Sequence, residues 1–171
     1  MSKKGIPSNI FSQQSTITSV FFGSECASVG ENAFKDCVSL TEINTDNAIE
    51  IIGSNAFAGT NISVAKFADL KKLNNGAFSS CSSLTHINIS CDSIPANAFK
   101  NCISLSAADI ENVTSIGSSA FENCNNLTSI TIPKCGKIDK YAFKSCINLT
   151  TVSNEDKAFK ITIINDNAFN E

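Results

Sequence analysis

The 171-residue sequence has no arginine and no tryptophan, one histidine and one tyrosine, and all thirteen of its basic residues are lysines. No eighteen apolar residues run together, so no segment is long enough to cross a bilayer. The N-terminal stretch MSKKGIPSNIFSQQSTITSVFF carries two lysines but no apolar run of signal-peptide length. Charge is scarce at 17%, the net charge is −3, and no basic cluster is present, which excludes nucleic acid as a partner class. There is no glycine-rich phosphate loop, no pair of carboxylates at a useful spacing and no CxxC. A hydrophobic content of 42% excludes a disordered tail. Asparagine and isoleucine are abundant. That bias can come from the base composition of the gene as readily as from physics, and it carries no functional weight.

What is present is repetition. Ile116 to Ile132 reads IGSSAFENCNNLTSITI, with an Ala-Phe pair, a cysteine three residues after the Phe, a leucine six after, and isoleucines nine and eleven after. The anchoring residues are Phe11, Phe34, Phe57, Phe78, Phe99, Phe121, Phe143 and Phe169, spaced 23, 23, 21, 21, 22, 22 and 26 residues apart. Units this short cannot bury an apolar face alone, so neighbours must stack and share one core. The position six after the Phe holds Ile17, Leu40, Leu84, Leu105, Leu127 and Leu149; nine after come Val20, Ile43, Ile87, Ala108, Ile130 and Val152. Eleven after come Phe22, Thr45, Ile89, Ile110 and Ile132, with Asn154 as the exception. Apolar residues alternating with polar ones predict a half-buried strand per coil, stacked in parallel about 4.8 Å apart. Eight before the Phe stand Cys26, Ile49, Leu70, Cys91, Val113, Cys135 and Ile161. Five before stand Ile6, Val29, Ile52, Leu73, Ile94, Ile116, Ile138 and Ile164. These two columns predict an opposite wall, and the Ala-Phe step reads as a tight helical turn at one edge.

Three places depart from the period. Ile6 to Phe22 is a degenerate first repeat with Gln14 in the cysteine column, as suits a terminal cap. The third repeat is one residue short at Ala58-Gly59-Thr60-Asn61-Ile62, which shifts its strand set to Ile62, Ala65 and Phe67. Asn154-Glu155-Asp156-Lys157 adds a charged insertion expected to bulge as a loop. The sequence stops at Phe169-Asn170-Glu171, inside a coil. A longer array, a covering half-coil or a partner would each account for that end, and the first is preferred.

The segments VGENAFKDCVSLTEINT, LNNGAFSSCSSLTHINI, IPANAFKNCISLSAADI, IGSSAFENCNNLTSITIP and IDKYAFKSCINLTTVSN resemble the BspA-like leucine-rich repeat, also called the Treponema pallidum type. The resemblance covers nearly the whole chain. It implies a right-handed leucine-rich-repeat solenoid of the α/β horseshoe class, β-dominated, with a parallel sheet and short helical turns. The expected organisation is a single domain over residues 1–171, of about seven coils plus a partial terminal repeat. The resemblance also implies binding to proteins, including host or extracellular matrix proteins, by a cell-surface or adhesive protein. It transfers no catalytic motif and no cofactor.

Eight cysteines fall in two columns: Cys37, Cys81, Cys102, Cys124 and Cys146 in one, Cys26, Cys91 and Cys135 in the other. Stacked cysteines would sit near the strand spacing, beyond the usual disulfide Cβ separation of about 3.8 Å. A linear ladder cannot supply a tetrahedral zinc cage. The expectation is buried free thiols, preferred over disulfides and metal. Free thiols and the missing signal peptide favour a cytoplasmic location, whereas the family resemblance favours the cell surface. His86 is expected to face outward. Its column neighbours Val64 and Ala107 supply neither nucleophile nor carboxylate, Asn88 and Asp109 are only diagonal to it, and no catalytic role is assigned.

The outward strand columns run Ser19, Glu42, Val64, His86, Ala107, Ser129, Thr151 and Phe21, Asn44, Lys66, Asn88, Asp109, Thr131, Ser153. The candidate binding residues among them are Phe21, Glu42, Asn44, Lys66, His86, Asn88, Asp109, Ser129, Thr131 and Thr151. Asn61, Asn88, Asn112, Asn126 and Asn148 open N-x-S/T sequons, which arise by composition and are read as unused. The expected function is a non-enzymatic protein-interaction module, with no cofactor or metal. The alternative is a self-assembling repeat protein whose terminal coils pair with another copy.

Overall fold

The computed structural model describes residues 4–45, 49–154 and 163–170. Ile161 and the insertion at Glu155, Asp156 and Lys157 lie outside the described residues. Along the chain the strands are β1 (Lys4–Ile6), β2 (Ser19–Phe22), β3 (Cys26–Val29), β4 (Glu42–Thr45), β5 (Ile51–Ile52), β6 (Val64–Phe67), β7 (Lys72–Leu73) and β8 (His86–Ile89). They continue with β9 (Ser93–Ile94), β10 (Ala107–Asp109), β11 (Ser115–Ile116), β12 (Ser129–Thr131), β13 (Lys137–Ile138), β14 (Thr151–Ser153) and β15 (Ile163–Ile164). Odd-numbered strands form a back wall, as the ladders β1-β3-β5-β7 and β9-β11-β13-β15. Even-numbered strands form a front wall, as β2-β4, β6-β8-β10 and β12-β14. Every pairing is parallel. The chain is a parallel β-solenoid of the leucine-rich-repeat type.

Between the walls lies one continuous apolar core. Leu40, Ile62, Leu84, Leu105 and Leu127 are fully buried, as are Ile52, Ile94, Ile116 and Ile138 from the back wall. The eight phenylalanines form a single file through it. Neighbouring rings lie 5.1–5.6 Å apart and within 20° of parallel. Offset stacking of this kind adds to the burial of each ring. Only the end rings are open, Phe11 at 36% and Phe169 at 42% exposure.

The turn edge corrects one expectation: the Ala-Phe step is not a helical turn, and the described residues contain no helix. Two residues per coil hold a left-handed backbone, at the second position before and the second after the Phe. In the second coil these are Asn32 (φ 52°) and Asp36 (φ 57°); in the fifth, Asn97 (φ 58°) and Asn101 (φ 63°). A helix cannot propagate through such residues. Alternate amides instead bond within the coil and between coils. Ala33, Lys35 and Cys37 donate to Gly30, Asn32 and Phe34 of their own turn, while Asn32, Phe34 and Asp36 donate to Ser54, Ala56 and Ala58 of the next. This arrangement recurs coil after coil. It also gives the asparagine bias a physical cause, since Asn tolerates the left-handed region better than other residues with a Cβ. Gly53 serves the same edge, because a Cβ there would lie 2.6 Å from the Gly30 carbonyl carbon.

The cysteine column explains itself in the same geometry. The thiols of Cys37, Cys81, Cys102, Cys124 and Cys146 donate to the carbonyls of Phe11, Phe57, Phe78, Phe99 and Phe121, each in the preceding coil, at 2.9–3.2 Å. Thr60 takes the cysteine position in the shortened third repeat, donates to Phe57 O and lies 3.3 Å from the Cys81 sulfur. In the other column Cys26, Cys91 and Cys135 donate to the carbonyl two residues on. All eight thiols are free. Burial pushes Cys81 and Cys146 up to about 11, and Cys102 and Cys124 well above the ordinary thiol value. They therefore act as protonated donors and not as thiolate nucleophiles.

Candidate binding face

The front wall places both outward columns in register. Ser19 pairs with Glu42 and Phe21 with Asn44; Val64, His86 and Ala107 align, as do Lys66, Asn88 and Asp109; Ser129 pairs with Thr151 and Thr131 with Ser153. A period-two strand with one buried face requires this, because a slip of one residue would turn Ile43 or Ile87 outward. Phe21 stands out at 69% exposure. Glu42, Asn44, Lys66, Asn88, Asp109, Ser129, Thr131 and Thr151 are exposed, and His86 is half-buried.

Several of these side chains are tied to each other. Asn44 donates to Glu42 Oε1 at 2.8 Å, and the Thr131 and Ser153 hydroxyls meet at 3.0 Å. His86 Nε2 lies 2.9 Å from Asp109 Oδ2, with the two side chains 35% and 54% exposed. The diagonal neighbour thus supplies the carboxylate that the column neighbours lack. No nucleophilic side chain bonds to the ring among the described residues, so the pair fixes a surface charge pattern without completing a catalytic constellation. No group of three or more His, Cys, Asp or Glu side chains is arranged for a metal among the described residues.

The front wall is not continuous. Its ladder stops between β4 and β6 and again between β10 and β12. The first seam falls where the third repeat is one residue short. The second falls where Ala108 replaces the isoleucine of Ile87 and Ile130 and removes aliphatic bulk. Each seam holds a shallow hollow. One of about 280 Å³ is lined by Glu42, Ile43, Asn44, Val64 and Lys66. One of about 320 Å³ is lined by Ala107, Ala108, Asp109, Glu111, Ser129 and Thr131. A third, of about 350 Å³, lies between Asn88, Ser90, Asp109, Glu111 and Asn112. Asp109 borders two of the three. Sequence reasoning placed the exposed columns but missed the seams, Glu111, and the polar groups that clamp the coils. Asn61 and Asn148 donate to Val38 O and Asn125 O in the preceding coil. Thr41, Thr85 and Thr150 donate to Thr18 O, Ser63 O and Thr128 O. The sequon residues Asn61 and Asn148 thus have structural work, and the offset of seven shared by the threonines after Phe34, Phe78 and Phe143 was the available signal.

The comparisons with known proteins follow the geometry. The model of the BspA type leucine-rich repeat region matches in six copies, over residues 4–112 and 92–171. No curated protein matches the chain. Among solved structures, a leucine-rich repeat protein from Eubacterium ventriosum superposes with a TM-score of 0.80 at 22% identity, over 91% of this chain and 43% of its own length. One from Bacteroides ovatus gives 0.65 at 21% identity, over 94% of this chain and 48% of its own. The leucine-rich repeat protein of T. pallidum gives 0.55 at 15% identity, over 85% and 71%. The chain therefore spans just under half the length of the first two. Six copies of one repeat model, laid over coils of matching architecture, make this chain a member of the BspA-type leucine-rich repeat family.

Proposed function

We propose that the chain is a protein-interaction module that docks a partner protein on its front wall. Repeats of this family typically mediate protein interactions and are generally non-enzymatic. The observation that carries the reading is the junction at Asp109, where the His86 pair, Asn88 and two hollows meet on one exposed sheet. Hollows with polar rims give a partner side chain somewhere to be desolvated, as a flat polar sheet does not. An adhesive, cell-surface role facing a host or matrix protein is the family-based extension of this proposal. Peptide display against the full chain tests it. Selected binders should lose affinity for a His86→Ala/Asn88→Ala/Asp109→Ala variant that melts as the native chain does. Binders indifferent to the three changes would move the site off this wall.

A second reading is self-association through the terminal coils. It is favoured by Ile147 and Phe169, exposed at 69% and 42% around the C-terminal hollow of about 150 Å³, and by Ile164, exposed at 56% on the last described strand. Solution mass across a hundredfold concentration range (about 1–100 μM, bracketing ordinary weak dimers) discriminates. A constant monomer mass removes this reading and leaves the first untouched.

A further inference from the structure

The single tyrosine of the chain sits where this fold least favours a large side chain. The second position before the Phe is left-handed in every described coil, and elsewhere it holds Asn9, Asn32, Asn55, Gly76, Asn97, Ser119 and Asn167. In the seventh coil it holds Tyr141, at φ 63°. A bulky aromatic in that region is a genuine outlier, and backbone strain of this kind gathers at functional sites. Core packing does not explain the residue. Phe143 fills the ring file in that coil, and Tyr141 is only half-buried. Among the described residues its hydroxyl makes no hydrogen bond.

Two ammonium groups converge on the ring. Lys140 Nζ lies 4.7 Å and Lys144 Nζ 5.2 Å from its centroid. The electron-rich ring face holds them together against their mutual repulsion. The carboxylates nearby are engaged: Glu122 with Lys100 at 3.0 Å and Asp139 with Lys137 at 2.9 Å. Burial alone would raise the Glu122 carboxyl, but the Ser119 hydrogen bond, Lys100 and Lys144 outweigh it and hold the group below its ordinary value. Among the described residues neither Lys140 nor Lys144 has a carboxylate within ion-pair distance. A chain of net charge −3 thus presents, on one turn, its only tyrosine and two ammonium groups that lie outside ion-pair distance of any carboxylate among the described residues, although Lys144 acts on Glu122 at longer range.

We propose that the Lys140–Tyr141–Lys144 turn is a docking site for an acidic segment of a partner protein, separate from the front wall. Side-chain carboxylates of the segment bridge the two ammonium groups, and an apolar neighbour packs on the tyrosine edge. Tyrosine is among the residues that most often anchor such contacts. Nucleic acid fits less well. The ring face that a base would stack on is already taken by lysine.

The test uses the full chain and a fluorescein-labelled, Glu-rich dodecapeptide carrying one Leu, followed by anisotropy. Lys140→Ala/Lys144→Ala should weaken binding by about tenfold or more, the scale of a hot-spot loss. Tyr141→Asn supplies the control for folding. It installs the residue that this backbone prefers, so the melting temperature should hold or rise while affinity falls about fivefold or more. The proposal is overturned if the native chain does not bind the peptide, or if either variant binds within about twofold of it. It is equally overturned if an oligo-dT of equal charge binds as tightly as the peptide.

Discussion

The turn edge and the front wall run the length of the same solenoid and obey opposite rules. On the turn edge the second to seventh coils repeat one bonding pattern, with three amides reaching the next coil, a thiol or hydroxyl reaching a Phe carbonyl, and a ring on the file. On the front wall the ladder breaks at two seams, and the outward residues change from coil to coil. The edge keeps the coils in register because alternate amides and the thiols find their partners in an adjacent coil, beside a buried file of rings. With register secured there, the wall can lose a residue in the third repeat or a side chain's bulk at Ala108 without unwinding. Variation in the outward side chains is thus concentrated on the surface that does not hold the stack together.

The most severe way to break this contrast is to remove a ring. Phe99 is fully buried and stacked on both sides by Phe78 and Phe121. Phe99→Ala should cost about 3–5 kcal/mol in urea unfolding. Ser129→Ala on the front wall should stay within about 0.5 kcal/mol. Leu127→Ala, between them in the core, should cost about 2–5 kcal/mol. Equal losses at Phe99 and Ser129 would mean that the edge does not carry the stack.

Alkaline pH attacks the edge through its thiols. Cys81 and Cys146 are held protonated in the fold up to about 11, against an ordinary value of 9.0. The folded chain therefore binds these protons more tightly than the unfolded chain. The stability they contribute is complete below pH 9 and falls as the pH rises from 9 towards 11. Each such thiol should steepen the loss by about 1.4 kcal/mol per pH unit within that window. Denaturant midpoints taken from pH 8 to 10.5 should show the decline, and a Cys81→Ala chain should show a shallower one. Parallel slopes for the two chains would remove the thiols from the account.

Most of the fold was legible because its signals are periodic. Residues such as Phe121, Leu127 and Ile116 recur at fixed offsets, and apolar residues at fixed offsets have to share a core. The turn conformation was less legible. Ala-Phe followed by polar residues suits a helical turn equally well, and only the backbone angles at Asn97 and Asn101 show that a left-handed residue on each side forbids it. The candidate site was legible as columns but not as a shape. His86 and Asp109 meet diagonally, at a distance that depends on rotamers, and the hollow beside Ala108 arises from what its neighbours do when bulk is missing. Neither follows from the offset of a residue along the repeat.

A smaller change sharpens the explanation of the asparagines. Asn97 sits at φ 58°. Asn97→Ala should cost about 1–2 kcal/mol, the penalty for a Cβ in the left-handed region without the local bonding that Asn provides. Asn97→Gly should be near neutral, because glycine enters that region freely. If both cost the same, the side-chain amide matters and the backbone angle does not.

The mildest prediction concerns stability at the face where binding is proposed. Asp109→Asn removes the charge opposite His86 while keeping the shape of the side chain. Both groups are substantially exposed, so the pair should contribute well under about 1 kcal/mol, and the melting temperature should barely move. Affinity for front-wall binders should drop, because the changed group borders two hollows at once. A chain that folds as before but binds less would place Asp109 on the recognising side of the contrast between edge and wall. A chain that loses stability in step with binding would place it with the turn edge, among the residues that hold the coils together.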